Sequence, residues 1–219
     1  MAKQARAIRT RRQILEAAGA VFDEFGYDAA TIAEILARAG VTKGALYFHF
    51  SSKEELARGV LDQAVTTEGI LPQESKLQEF VDIGMVLAHR LPREPLLSAC
   101  IRLSADHAAR ELLGTSWPAW TEFMAEQLRG AKEQGELLPH VVPEDTATVV
   151  VGAWTGMEVI SVGLKGEESL EQWIAKLYDH LLPGIAVPGV LRRLDTAPDR
   201  GARIWETYLE VRDTLAPAE

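Results

Sequence analysis

Apolar side chains recur along this chain at spacings of three, four and seven, the repeat of a helix that buries one face. Near the start, Ile8, Leu15, Ala18, Phe22 and Phe25 share such a face, predicting a helix from about Ala7 to Phe25 that ends at Gly26. Thr31 and Glu34 then form a T-x-x-E capping box, so a helix opens near Ile32 and buries Ile32, Ile35, Leu36 and Ala39. Gly40 stops it, because glycine takes the left-handed backbone of a helix C-cap at least cost. Val41 plugs the turn, and Thr42 caps a third helix from Lys43, which Leu46, Phe48 and Phe50 are expected to anchor to its neighbours. Ser52 and Glu55 make another capping box, opening a helix from Lys53 to about Glu68 that Gly69 and Pro72 end.

Further helical segments run from about Ser75 to Leu91, Pro95 to Leu113, Ser116 to Gln134, Pro143 to Leu164, Ser169 to Leu182 and Pro198 to Leu215. Gly114, Gly135, Gly166 and Pro183-Gly184 punctuate them. No segment sustains a period-two alternation, so strands are not expected. The run Val149 to Val151 is ambiguous, but Pro143, Glu144 and Asp145 make a good helix start and the apolar pattern continues through Met157 and Ile160. The fold expected is all-α: a helix-turn-helix domain over residues 1–52, followed by a larger helical domain over 53–219.

Helix, glycine turn and helix in this order suit the major groove of double-stranded DNA, where the first residues of the second helix lie nearest the base edges. Lys43 is the best-placed base reader, while Gly44 and Ala45 leave room for close approach and Ala45 can touch a thymine methyl. Tyr47 and His49 offer hydrogen-bonding groups to phosphates, Lys53, in the first turn of its helix, is a phosphate clamp candidate, and the caps Thr31 and Thr42 are counted among the DNA-binding candidates. Singly, such residues are mostly solvated or half-buried packing. Their joint placement around one capped helix-turn-helix is what points to DNA.

Charge sharpens that reading. The 219 residues carry a net charge of −9, which would repel nucleic acid, so binding needs a local basic surface. Residues 1–60 hold nine Lys/Arg against seven Asp/Glu, a net of +2, and the rest carry −11. Lys3, Arg6, Arg9, Arg11 and Arg12 lie within the first fifteen residues with no acid among them, an arm able to follow the DNA backbone or enter the minor groove. Arg9 and Arg11 are its candidate contacts.

About fifty residues suffice for such a reading unit, so the larger part needs its own explanation. All five tryptophans, Trp117, Trp120, Trp154, Trp173 and Trp205, lie beyond residue 114. Trp117, Trp120, Met124, Leu128 and Ala131 form one stripe. Aromatics in a helical body either fill the core, the commoner outcome, or wall a small-molecule cavity between helices. Gln63 and Thr155 sit on otherwise apolar faces, Thr155 with Val151, Val159 and Val162, and an unpaired buried polar group costs about 1 to 3 kcal/mol. Each either bonds a backbone carbonyl or, with Trp120, lines a cavity for a small, mostly apolar, oxygen-bearing ligand. The ligand-site candidates are Gln63, Trp117, Trp120, Met124, Thr155 and Val159. Gly152, Gly156 and Gly163 share one side of a helix and predict close approach of another backbone, from within the chain or across a homodimer seam. A two-fold protein would hold two reading helices about 34 Å apart.

No catalytic or metal site is read. The five histidines show no H-E-x-x-H spacing, and no G-x-S-x-G or phosphate loop occurs, so an enzyme is not expected and no cofactor is implied. Lone Cys100 reads as a small buried apolar residue. No apolar run is long enough to span a membrane and the start lacks the apolar core of a signal peptide, so a cytoplasmic protein is expected.

The segment A-G-V-T-K-G-A-L-Y-F-H-F, with S-K-E-E-L after it, resembles the DNA-reading motif of the tetracycline-repressor (TetR) family of bacterial regulators. The remainder is similar to that family's gamma-butyrolactone receptor branch, through R-A-I-R-T-R at Arg6 to Arg11, G-E-L-L-P-H-V at Gly135 to Val141, and I-A-V-P at Ile185 to Pro188. The resemblance implies an all-helical homodimer that occupies a pseudo-palindromic operator and lets go when a diffusible lactone or butenolide binds. It also implies that Trp120, in its W-x-x-W-T-E-F context, is a wall of the ligand pocket. Relatives in the branch that answer to antibiotics or biosynthetic intermediates keep that alternative open, as does a DNA-binding dimer without an effector.

Overall fold

Gly26, at φ 77° and ψ 175°, breaks the first helix where the sequence places its end, but helical geometry resumes and α1 runs over Ala2–Ala29. In the computed structural model, which describes residues 2–163 and 168–215, there follow α2 (Ile32–Ala39), α3 (Lys43–His49), α4 (Lys53–Leu61), α5 (Lys76–Arg90), α6 (Pro95–Ala105) and α7 (His107–Leu113). Then come α8 (Trp117–Glu133), α9 (Pro143–Gly163), α10 (Leu170–Leu181), α11 (Pro188–Leu191) and α12 (Arg200–Leu215). Leu164 and Gly166, and the side chains of Lys3 and Val162, lie outside the described residues. No described helix is long and apolar enough to cross a membrane. The chain divides into two compact units, Met1–Thr66 with Leu91–Pro118, and Thr67–Arg90 with Ala119–Glu219, so the boundary expected after residue 52 falls inside the first unit.

In the first unit, Ile14, Leu15, Ala18, Val21 and Phe22 of α1 are buried, and α1 packs along α6. The approach is close because Gly19 has no side chain: a Cβ there would lie 2.8 Å from the Cα of Leu96. Ser98 donates to Asp23 Oδ1 at 2.5 Å and Arg102 donates to the Asp23 carbonyl, pinning the pair. Ile8, expected on the buried face, is 64% exposed, because the first turns of α1 extend beyond the residues that pack on it. Two other expectations change. The helix from Lys53 ends at Leu61, and Gln63 and Ala64 follow in tight turns onto the carbonyls of Val60 and Leu61, since the β-branched Val65, Thr66 and Thr67 favour helix poorly. The segment from Pro95 to Leu113 is two helices, because the Asp106 carboxylate accepts from Ala109 N at 2.7 Å and starts a new one.

The second unit is built on α5, buried nearly all round, with α10 and α12 packed on it and α9 packed on α10. Leu77, Phe80, Met85, Leu128, Ile174 and Tyr178 are among its fully buried large side chains. The indole of Trp154 donates to the Gly84 carbonyl at 3.3 Å. Asp82, 0% exposed, accepts from Arg200 Nε and Nη2 at 3.0 and 2.8 Å and from Gln78 Nε2 at 2.7 Å, which ties α12 to α5. Helix α11 was not anticipated from the sequence. Nor was an antiparallel bridge between Leu137 and Ala186, flanked by Leu138 N to Ile185 O at 2.8 Å and Val187 N to Glu136 O at 2.9 Å. The segments G-E-L-L-P-H-V and I-A-V-P, far apart in sequence, thus pair with each other.

Candidate nucleic-acid interface and ligand-sensing residues

The reading element is set by local capping. Thr31 Oγ1 accepts from Glu34 N at 3.2 Å, and the Glu34 carboxylate accepts from the Thr31 hydroxyl and amide at 2.7 and 2.9 Å, which holds that carboxyl below its ordinary value. Gly40 takes φ 62° and bonds back to Leu36 O. Gln13 of α1 donates to Ala39 O at 2.8 Å, tying the end of α2 to α1. Thr42 Oγ1 accepts from Ala45 N at 3.2 Å and starts α3.

Helix α3 is held by Leu46, 0% exposed, and by Phe50 just past its end. Gly59 of α4 makes room for the Phe50 ring, and the Arg11 guanidinium stands 5.2 Å from that ring's centroid, so the basic arm passes beside the reading helix. Phe48 does not anchor the helix as expected: it is 80% exposed. Two residues advance a helix by about 200°, so positions 46 and 48 face opposite ways. The outward face is Lys43, Gly44, Tyr47 and Phe48, with Ala45 and His49 half-buried at its flanks. The Lys43 ammonium lies 5.8 Å from the Tyr47 ring centroid. Arg9 and Thr31 are exposed. Lys53 is half-buried, donating to the carbonyls of Asp28 and Ala30 at 3.2 and 2.8 Å, and sits 4.5 Å from the Tyr27 ring centroid. Its ammonium braces the turn between α1 and α2.

The ligand candidates divide between the units. Gln63 and Trp117, both half-buried, belong to the first, where the Arg110 guanidinium lies 6.0 Å from the Trp117 ring centroid. In the second, Met124 is buried with Leu128 and Ala131 on one face of α8, and Trp120 is half-buried with its ring edge-on to Phe123 at 5.9 Å. Thr155 donates to the Val151 carbonyl at 2.8 Å, so its hydroxyl is already paired, and Val159 is 55% exposed. Of the five tryptophans only Trp154 is buried, so they do not form one aromatic core.

A cleft of about 480 Å³ in the second unit is lined by Gln73, Glu74, Gln78, Glu136, Val190 and Arg193, and none of the six ligand-site candidates lines it. Its buried polar groups serve the fold: Glu136 accepts from Leu77 N at 2.7 Å, and Gln78 holds both Asp82 and the Asp195 backbone. Among the described residues no group of three or more His, Cys, Asp or Glu is arranged to hold a metal.

Residues 14–60, which carry α2, α3 and most of α4, match the N-terminal domain model of bacterial regulatory proteins of the tetR family. The A-factor receptor protein of Streptomyces griseus is 40% identical over 196 residues, 89% of this chain and 70% of that protein. The crystal structure of full-length TylP, a TetR regulator from Streptomyces fradiae, is 40% identical with a TM-score of 0.86, covering 93% of this chain and 99% of that one. A gamma-butyrolactone receptor described as ArpA-like is 26% identical with a TM-score of 0.63, covering 96% and 99%. With its reading helix, its capped turns and this likeness along both units, the chain belongs to the TetR family of bacterial regulatory proteins.

Proposed function

We propose that this protein is a non-catalytic, DNA-binding transcriptional repressor that leaves a pseudo-palindromic operator when a small diffusible signal of the gamma-butyrolactone or butenolide class binds. The observation that carries the reading is the likeness to the A-factor receptor, which spans both units and not the reading domain alone. The outward face of α3 supports the DNA half: Lys43 stands toward solvent at the start of the helix, where base edges come closest, with Tyr47 and His49 behind it for phosphates. Arg9 and Arg11 on α1 extend the positive surface, and Thr31, Thr42, Gly44, Ala45 and Lys53 complete the set we assign to DNA.

Homodimerisation finds support on α9. A Cβ at Gly152, Gly156 or Gly163 would meet nothing within 4 Å, while Val149, Val159 and Ile160 near them are 60%, 55% and 50% exposed. No helix among the described residues fills that stripe, which supports the reading of those glycines as part of a two-fold seam. Trp120 is the ligand wall we assign, with Met124 and Thr155 on the same unit. Release needs only that the signal bind one arrangement of the paired heads better than the other, since a ligand shifts such an equilibrium by its differential affinity alone.

The test is a gel shift with an operator selected from random duplexes by the full-length protein, titrated with gamma-butyrolactones. Wild type should release, and Trp120→Ala should bind the same duplex yet resist release. Normal release of that variant would remove Trp120 from the pocket. A melting temperature unmoved by lactones but raised by an antibiotic or intermediate would reassign the signal, because a ligand at a hundred times its dissociation constant adds about 2.7 kcal/mol.

A further inference from the structure

Phe48 is the most exposed large apolar side chain among the described residues, at 80%, and it stands on the reading helix itself. Its aromatic neighbours explain little of that placement: the imidazole of His49 meets the ring edge-on at 5.0 Å, and His49 is itself half-buried. One turn earlier is Gly44, where a Cβ would meet nothing within 4 Å. Positions 44 and 48 lie one turn apart and so share one strip of the outward face. The outward face is therefore a pair of rows, a polar one of Lys43 and Tyr47 and an apolar one of Gly44 and Phe48.

An exposed phenyl in the middle of a charged, hydrogen-bonding surface needs an apolar partner. In the major groove a base pair displays one apolar group, the 5-methyl of thymine. Resting on the repressor reading above, we infer that Phe48 is a specificity-determining residue that covers a thymine methyl in each operator half-site, while the empty Gly44 position lets the neighbouring base edge come close. Ala45, the residue from which the sequence suggested such a contact, is half-buried at the flank of the face. Phe48 carries no hydrogen-bonding group, so its selectivity is for the methyl alone.

Deoxyuridine in place of thymidine removes that methyl and nothing else. In the selected operator, replacing each thymidine in turn should weaken wild-type binding at one position per half-site by about fourfold, the equivalent of about 0.8 kcal/mol for one methylene-sized group. Phe48→Ala should bind the parent operator more weakly and be indifferent to the swap at that position. Phe48→Leu should regain part of the sensitivity, and Ala45→Gly and Lys43→Ala should keep all of it. Thermal unfolding of Phe48→Ala should match wild type, since so exposed a side chain contributes little to the core. Selective binding that ignores every uridine, or a Phe48→Ala protein still sensitive at the same position, would overturn this inference alone. Failure of wild type to select any duplex would overturn the repressor reading and this one with it.

Discussion

The phenol oxygen of Tyr178 occupies the space in which a side chain at position 84 would begin: a Cβ built on Gly84 would overlap it and lie 3.0 Å from the ring carbon that bears it. Tyr178 is fully buried, its hydroxyl has no hydrogen-bond partner among the described residues, and burial pushes its pKa up. Gly84 is thus the socket that admits α10 to the face of α5. Gly84→Ala should cost about 1 to 3 kcal/mol through overpacking. Tyr178→Phe, which discards an unpaired buried hydroxyl, should be close to neutral and should recover part of that loss in the double variant. Urea unfolding of the four proteins checks the cycle; additive losses would refute the steric account.

The clasp between Asp82 and Arg200 makes a pH-dependent prediction. Burial raises the Asp82 pKa despite hydrogen bonds from Arg200 and Gln78 that lower it. Arg200→Met removes the cation and should cost about 3 to 5 kcal/mol at neutral pH, because a buried carboxylate is left without its counter-charge. A carboxyl whose pKa is raised on folding contributes stability that is present below its unfolded value and lost as pH rises through the folded one. The deficit of Arg200→Met should therefore shrink as pH is lowered from neutral into the mildly acidic range. Asp82→Leu combined with Arg200→Met should lose far less than Arg200→Met alone. A deficit independent of pH would place the cost in packing.

Cys100 is 2% exposed, its Sγ lies 3.2 Å from the carbonyl oxygens of both Val60 and Leu96, to either of which it can donate, and burial pushes the thiol up to about 12. A thiol reagent should label the native protein only as fast as it opens, and urea should restore the rate of a free cysteine. The sign of the shift adds a second expectation: the stability due to the neutral thiol is full below its unfolded pKa and declines above it as pH climbs toward the folded value. Cys100→Ala should abolish that alkaline component. Rapid native labelling would contradict the burial.

On the DNA side, Lys43→Ala should cost about 1 to 3 kcal/mol of specific affinity while non-specific binding changes little. Replacing Arg9 and Arg11 by alanine should instead weaken binding to all sequences and flatten the salt dependence by about one unit of slope for each phosphate that is no longer neutralised. Titrations across salt concentrations separate the two. A salt slope equal to that of wild type would exclude the arm from the backbone.

What the residues determined by themselves was mostly local. The capping box at Thr31, the glycine turn at Gly40 and the cap at Thr42 all form as expected, because each is a hydrogen bond between groups a few positions apart. The inward stripe of Met124, Leu128 and Ala131 on α8 was equally legible, since helical periodicity alone defines it. The exposure of Phe48 was within reach of the same rule: L-x-F-x-F reads like three anchors, but a helix turns about 100° per residue and carries position 48 away from Leu46. Other features depended on the competition between distant partners, which no window along the chain contains. These include the empty stripe on α9, the socket of Tyr178 at Gly84, and the pairing of Glu136 to Leu138 with Ile185 to Val187. Tertiary structure decided them because burial and non-local hydrogen bonds are settled only when the helices meet.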